Sequence, residues 1–374
     1  MTHNTGGILL AEITKKRLAR FREKVQEQPF DTFMVLQGEN RRYLSGFTAE
    51  DGQFDESAGA LFITGDRQLL ATDSRYLEQA RIEIDDFEIC QYKEGLACAL
   101  PGIMKALGTK RLGFESARLS CLQFQRLKEE LKKARISVSL VPTENIIEEI
   151  RMIKEEGEIE AIRKSLALSE TVFETIASDL CPGVSEKELA WALEKELREQ
   201  GAEALAFPPI VASGPNSAFP HAVPTDRSVS VGEPILFDWG VRLNGYCSDI
   251  SRTLFLGEPD PFFKTVYQVV KDAQFLAIEA IKPGVSTQAV DGVARDYITE
   301  KGFGDYFGHG LGHGVGLAVH EKPHLSPHRP MTLEVGMVTT VEPGIYIPKR
   351  GGVRLENMVV VKPEGAAALN HYPL

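Results

Sequence analysis

The stretch PILFDWGVRLNGYCSDISRTLFL, residues 234–256, reads as two apolar strands joined at Asn244-Gly245. Asn-Gly suits a two-residue hairpin loop, because both central positions take positive φ. With those two residues as the loop, Leu243 pairs with Tyr246 and Gly240 with Asp249, which sets Asp249 diagonally across from Asp238 on one face. Most surface strand aspartates belong to a solvated acidic face. Asp238, however, follows Ile-Leu-Phe and precedes Trp. A lone carboxylate in such company is costly, and a second of like charge is worse unless a cation compensates.

A second stretch repeats the arrangement with glutamates. MVTTVEPGIYIPKRGGVRLENMVVV, residues 337–361, places two strand-like runs around a Pro-Lys-Arg-Gly-Gly turn. A loop centred on Lys349 sets Glu342 directly opposite Glu356, both facing one side. A single strand glutamate usually serves solubility, but Glu356 is bracketed by Arg354 and the apolar run MVVV. Four inward carboxylates carry a load that two divalent cations would neutralise, so the expectation is a dinuclear centre.

Between these hairpins lies FGHGLGHGVGLAVHE, residues 307–321, with glycine at every second position from Gly308 to Gly316. In an extended chain His309 and His313 share a face, and the bare face admits a metal, a substrate backbone or a neighbouring strand. The His-x-x-x-His spacing also suits a helical zinc pair, but so many glycines disfavour a helix. A histidine in a glycine-rich loop is more often structural than a ligand. Beside four converging carboxylates, His313 becomes the candidate nitrogen ligand, in its neutral form.

The same region carries an internal repeat. PGVS occurs at residues 182–185 and again at 283–286, each time opening a helix, with Ser185 and Glu188 in a capping-box pattern. Each of those helices stops at a glycine sixteen residues past its serine, Gly201 and Gly302. The equal spacing favours a duplicated helix–helix–sheet unit whose two halves meet around a shared cleft.

Upstream, helical and strand patterns alternate: KKRLARFREKV, FMVL, the hairpin ALFIT–GDRQ–LLATD, RLGF, LQFQRLKEELKKA and ISVSLVP. That alternation predicts an α/β layer domain. The charged segment Glu148 to Glu160 reads as the junction, giving domains 1–147 and 148–374. Over the 374 residues, 42 Lys and Arg against 53 Asp and Glu leave a charge of −11, which argues against a nucleic-acid or anionic-membrane partner. No run of 18 apolar residues occurs, and the N-terminal apolar segment is too short for a signal peptide, so a cytoplasmic protein is expected. Cys90, Cys98, Cys121, Cys181 and Cys247 are scattered with no C-x-x-C, and are expected to be reduced and mostly buried.

The ordered set Asp238, Asp249, His313, Glu342, Glu356, within FDWG, YCSDISRT, GHGVGLAVHE, VEPGIY and GVRLEN, resembles the pita-bread metallopeptidase family of methionine aminopeptidase, aminopeptidase P and prolidase. The preceding domain resembles the N-terminal domain of creatinase, prolidase and aminopeptidase P, which favours the Xaa-Pro branch. The resemblance implies an α/β N-terminal domain followed by an α+β pita-bread catalytic domain, with a pseudo-twofold repeat around the metals. It implies that Asp238 and Glu342 each bind mainly one metal, that Asp249 and Glu356 bridge both, and that His313 completes one coordination sphere. A hydroxide held between the metals is then the nucleophile, and Glu342 handles a proton. His221 and His320 are implied to contact the substrate carbonyl, and His309, Tyr346 and Arg354 to line the pocket. The metal is manganese first, with cobalt, zinc or iron also compatible. The partner is a peptide with proline in second position, and the resemblance implies a homodimer.

Three positions depart from the family's pattern. Asn357 stands where Asp is common, Ala318 replaces a frequent acid, and His324 stands where many prolidases carry an arginine able to clamp a dipeptide's carboxylate. The last departure tips the expectation toward an Xaa-Pro aminopeptidase, with an Xaa-Pro dipeptidase as the alternative. A metal-free creatinase-type hydrolase would lack the ligand set, and a non-catalytic binding module of this fold would show it eroded.

Overall fold

The computed structural model describes residues 5–52 and 56–374; the first four residues of the N-terminal segment discussed above lie outside them. The chain divides into two compact units, Met1–Arg151 and Met152–Leu374. No helix among the described residues is long and apolar enough to cross a membrane.

In the first unit the strands are β1 (Thr32–Val35), β2 (Ala60–Thr64), β3 (Gln68–Thr72), β4 (Glu88–Gln91), β5 (Arg111–Glu115) and β6 (Ser139–Thr143). They form one sheet of order β4-β3-β2-β1-β5-β6. β1, β2 and β3 run antiparallel, as the hairpin reading requires, while β3–β4, β1–β5 and β5–β6 are parallel. Because side chains alternate along a strand, neighbours on β1 serve opposite faces. Met34 packs with Phe62, Leu112 and Phe114 against Ile103, Met104, Leu127 and Leu131 of helices Leu96–Leu107 and Cys121–Lys133. Phe33 meets Phe21 of helix Thr5–Val25, ring centroids 5.4 Å apart. Helix Leu96–Leu107 holds Pro101 and has no counterpart among the patterns read from the sequence, since an internal proline argues against a helix.

The second unit is the duplicated one. Its first half runs helix Glu156–Ser178, helix Glu186–Glu199, then strands Ile210–Ser213, Pro234–Trp239 and Ile250–Phe255, with Pro234–Trp239 in the middle. The second half runs helix Pro261–Ala280, helix Thr287–Glu300, then strands Gly312–Gly314, Val338–Val341 and Asn357–Lys362, with Val338–Val341 in the equivalent middle place. Ser185 and Ser286 cap the second helix of each half, accepting from Glu188 N and Gln288 N. The serines also bridge to Ser228 and Thr332, tying each turn to a later segment of its own half. Of two apolar cores, one around Leu166, Phe173 and Trp239 also takes in Val338, Met358 and Val360 of the second half, and the other lies around Val270, Ala273 and Ile345.

All five cysteines are free, but the expectation that most are buried fails: Cys98, Cys121 and Cys181 are exposed, Cys90 is half-buried and only Cys247 is buried. Cys121 opens a helix and Cys181 sits in the turn before Gly183, where packing demands little of a side chain.

Candidate metal centre

The hairpin registers bring the acids together. Leu243 pairs with Tyr246 and Arg242 with Cys247, and beyond a break Ile250 pairs with Trp239 and Ser251 with Asp238. The pairing that Asn244-Gly245 dictates therefore holds along the whole hairpin and leaves Asp249 diagonal to Asp238. In the second half Ile347 pairs with Gly351 and Gly344 with Arg354, and further out Val341 pairs with Asn357. The same count sets Glu342 opposite Glu356, in the gap between two ladders.

His313 enters between these pairs, and the glycines beside it have a physical reason. Its short strand is flanked by Glu321–Leu325 on one side and Val338–Val341 on the other. A Cβ at Gly312 would collide with the carbonyl oxygen of Thr340, and one at Gly314 with that of Lys322. Only a bare backbone passes between them, and it carries His313 to the acids. Nε2 of His313 lies 3.5 Å from Asp249 Oδ2 and 3.3 Å from Glu342 Oε1.

Ligand-capable atoms of three overlapping sets lie within 4.8 Å of one another: Asp238 with Asp249 and Glu356; His313 with Glu342 and Glu356; Asp249 with His313 and His320. Asp249 and Glu356 are the carboxylates shared between sets. His320, expected to contact substrate, has its ring 4.4 Å from that of His313, edge-on, at the open side.

Several observations test whether a cation fits. Oδ1 of Asp238 and Oε1 of Glu356 are buried without a hydrogen-bond partner among the described residues, a costly arrangement for carboxylate oxygens. Burial, then Glu356, Asp238 and Glu342, push the Asp249 carboxyl well up. Burial, then Glu342 and Asp238, do the same to Glu356. Burial takes Glu342 to about 8 against the pull of Arg354. Burial, with His320, lowers His313 to about 3, so its ring is neutral. Its Nδ1 lies 3.1 Å from the carbonyl of Gly314, which can only accept, so Nδ1 carries the proton and the Nε2 lone pair faces the carboxylates. Acids crowded so closely that burial and mutual repulsion favour their protonated forms, facing a neutral imidazole lone pair, suit a cation that would displace those protons, and a set of carboxylate oxygens plus one imidazole suits divalent ions.

The remaining site residues divide by what they touch. His221, His309, His320, His324 and Arg354 line one cleft with the five candidate ligands. Each nitrogen of Arg354 has a partner: Nε donates to Ser251 Oγ (2.8 Å), Nη1 to Pro220 O (3.1 Å) and Tyr346 Oη (2.8 Å), and Nη2 to Asp238 Oδ2 (2.5 Å). Tyr346, expected to line the pocket, is buried behind it, packed with Ile210, Ala222 and Leu236. Its hydroxyl lies 3.0 Å from His309 Nε2, whose Nδ1 lies 2.7 Å from Gly310 O. Both nitrogens of His309 are therefore occupied. Burial, with Arg354, lowers that ring to about 4. His324 pairs directly across from His313, and burial, Lys322, His320 and Arg329 lower its pKa. Asn357 Oδ1 accepts from Arg252 Nη2 at 3.0 Å, so the amide keeps a hydrogen bond there.

Sequence reasoning passed over two parts of the cleft. Phe207, Pro208 and Ile210 line it as an apolar wall, and the exposed His328 and Arg329 line it too. AFPPIV is a visible apolar run before a strand; the turn SPHRP carries no signal of direction.

Comparison with known proteins now decides the lineage. The family model for metallopeptidase family M24 matches residues 160–363, and that for the creatinase/prolidase N-terminal domain matches residues 17–153.

The chain belongs to metallopeptidase family M24.

It is 39% identical to an uncharacterized peptidase of Bacillus subtilis, over 96% of this chain and 98% of the relative. Among solved structures, the Xaa-Pro dipeptidase from Bacillus anthracis superposes with a TM-score of 0.89 at 38% identity, covering 96% of this chain and 98% of that one. The X-Pro aminopeptidase from Thermotoga maritima gives 0.86 at 36% identity, with 95% and 98% coverage. As an M24 metallopeptidase with the creatinase/prolidase type of N-terminal domain, this chain is a metallo-exopeptidase that works with divalent metal ions.

Proposed function

We propose that this M24 enzyme cleaves the Xaa-Pro bond at the N-terminus of peptides, as an Xaa-Pro aminopeptidase. The observation that carries the chemistry is the meeting of Asp238, Asp249, His313, Glu342 and Glu356, with two buried carboxylate oxygens that have no hydrogen-bond partner among the described residues. Asp238 and Glu342 would each serve mainly one ion, Asp249 and Glu356 would bridge two, and His313 would give its Nε2 lone pair to one. Manganese is the first choice for a set rich in oxygen donors with one nitrogen. When bound, the ions supply Lewis acidity that activates water and polarises the scissile carbonyl.

The chain's own residues do the rest. Glu342, held by Thr340 Oγ1 at 3.1 Å, takes and returns a proton. Burial lowers His320, so at neutral pH it offers a neutral ring's N–H to the substrate carbonyl as charge develops there, with His221 beside the same cleft. Glu321, next to His320, is pinned by Lys154 Nζ at 2.5 Å, which anchors the start of strand Glu321–Leu325 directly after that histidine. The apolar wall of Phe207, Pro208 and Ile210 suits a proline ring, which has no N–H to satisfy.

The aminopeptidase preference rests on the clamp position. A dipeptidase must hold a free carboxylate beside the proline, and a neutral His324 does this far less well than an arginine. Arg354 is a poor substitute, because four of its five N–H groups are already held by Ser251, Pro220, Tyr346 and Asp238. The Xaa-Pro dipeptidase reading is favoured by the likeness to the Xaa-Pro dipeptidase from Bacillus anthracis and by the guanidinium of Arg329 at the cleft rim. Hydrolysis rates of Ala-Pro and Ala-Pro-Ala under the same metal conditions separate the two.

A further inference from the structure

The strands that carry Glu342 and Glu356 part company at the glutamates. Val341–Asn357 closes one ladder and Gly344–Arg354 opens the next. The glutamates' own N–H groups leave the pair altogether, Glu342 N donating to Leu311 O and Glu356 N to Ser251 O. Among the described residues, the backbone offers across the gap only a long contact of 3.4 Å from Leu355 N to Pro343 O. The ladder alone does not hold the two carboxylates at a set distance.

A side chain from behind does. Gln274, fully buried in helix Pro261–Ala280, donates through Nε2 to Val341 O and Leu355 O, both at 2.9 Å. Those are the residues immediately before Glu342 and Glu356. Its Oε1 is buried with no partner among the described residues, and its surroundings on the helix are Val270, Ala273 and Ala277. Stability alone would favour an apolar residue at such a place, since an orphaned carbonyl oxygen carries a penalty.

The first half has the same device in different atoms. In helix Glu156–Ser178, Ser169 is fully buried; its carbonyl accepts from Trp239 Nε1 at 3.1 Å and its hydroxyl lies 2.8 Å from Ser248 Oγ. Trp239 adjoins Asp238 and Ser248 adjoins Asp249. Each half's long helix thus grips the neighbours of both of its own carboxylates.

We propose that Gln274, with Ser169 as its counterpart, is a positioning residue that fixes the gap between the two metal-binding carboxylates of its half and thereby sets metal affinity. The inference rests on the metal centre as assigned above. Removing the Gln274 grip lets Glu342 and Glu356 drift while leaving every ligand in place.

The test is Mn2+ binding to chelator-stripped protein, followed by the electron paramagnetic resonance signal of the free ion, alongside thermal unfolding. Gln274→Met keeps the bulk and removes the donor; Val270→Ala, one turn away in the same core, supplies a destabilised control with no polar contact. We expect Gln274→Met to weaken Mn2+ binding by about 10-fold or more, the range seen when such supporting partners are lost, with a Tm drop no larger than that of Val270→Ala. Val270→Ala should bind Mn2+ as the parent does. Unchanged Mn2+ affinity in Gln274→Met, or equal losses in both variants, overturns the proposal. Should Gln274→Met fail to fold, Ser169→Ala decides: weakened Mn2+ binding supports the grip and parental binding refutes it. A parent chain that binds no Mn2+ would instead remove the metal assignment itself, which is a separate failure.

Discussion

Nε2 of His313 stands 3.5 Å from Oδ2 of Asp249, and the two residues come from different halves of the repeat. Neither atom carries a proton when the ring is neutral and the carboxylate ionised, so a cation bound between them would join the halves. Asp249→Asn keeps the shape and removes the charge. It should abolish turnover and lower bound metal while leaving the far-ultraviolet circular dichroism unchanged. Full activity in that variant would refute a shared bridging role for Asp249.

His320 sits beside His313 but on the open side. If its part is to meet the developing charge on the substrate, His320→Ala should leave metal content intact and lower kcat by ~10²-fold, with a small change in KM. Metal analysis together with steady-state kinetics checks this. Metal loss matching that of Asp249→Asn would place His320 among the ligands.

The buried acids also set a pH dependence. Burial holds Glu342 at about 8 against an ordinary 4.5, and Asp249 and Glu356 are raised too. Between those values the metal-free native state binds more protons than the unfolded chain, so its stability is full at low pH and falls as pH rises through about 8. Cation binding must expel the same protons, so Mn2+ affinity should climb with pH and level off near the same point. Chelator-stripped protein should therefore melt higher at pH 6 than at pH 8.5, and added Mn2+ should stabilise it more at pH 8.5. The reverse order in stripped protein would contradict the clustered acids.

Much of this centre was readable because period and turn chemistry govern it. Asn244-Gly245 fixes the register of one acid pair and the turn around Lys349 that of the other, and a slip by one residue would flip every side chain. The twin PGVS turns revealed the repeat because a capping serine and a positive-φ glycine are local demands, met at Gly183 and Gly284 with φ of 92° and 87°. What escaped notice depends on distant contacts. Nothing near Gln274 in sequence shows that it faces two carbonyls sixty-seven and eighty-one residues away. The withdrawal of Tyr346 behind the wall likewise follows from packing against Ile210 and Leu236, and the exposure of three cysteines from surfaces that no local pattern specifies.

The end of the substrate is read at the rim. With a neutral His324 where an arginine would serve, a dipeptide forgoes a charge-assisted hydrogen bond worth roughly 1.5 to 3 kcal/mol. Ala-Pro-Ala should thus exceed Ala-Pro in kcat/KM, and His324→Arg should narrow the gap by improving the dipeptide. Arg329→Gln should leave the tripeptide unchanged. Exclusive cleavage of dipeptides by the parent, lost in Arg329→Gln, would mark the enzyme as an Xaa-Pro dipeptidase with Arg329 as its clamp.

The most direct test of the account is a titration of chelator-stripped protein with Mn2+, following hydrolysis of Ala-Pro-Ala against metal bound per chain. The centre of Asp238, Asp249, His313, Glu342 and Glu356 predicts no turnover without metal and a rise to full activity as two ions bind. Undiminished hydrolysis in the stripped protein, or two ions bound with no cleavage of any Xaa-Pro peptide, would contradict it.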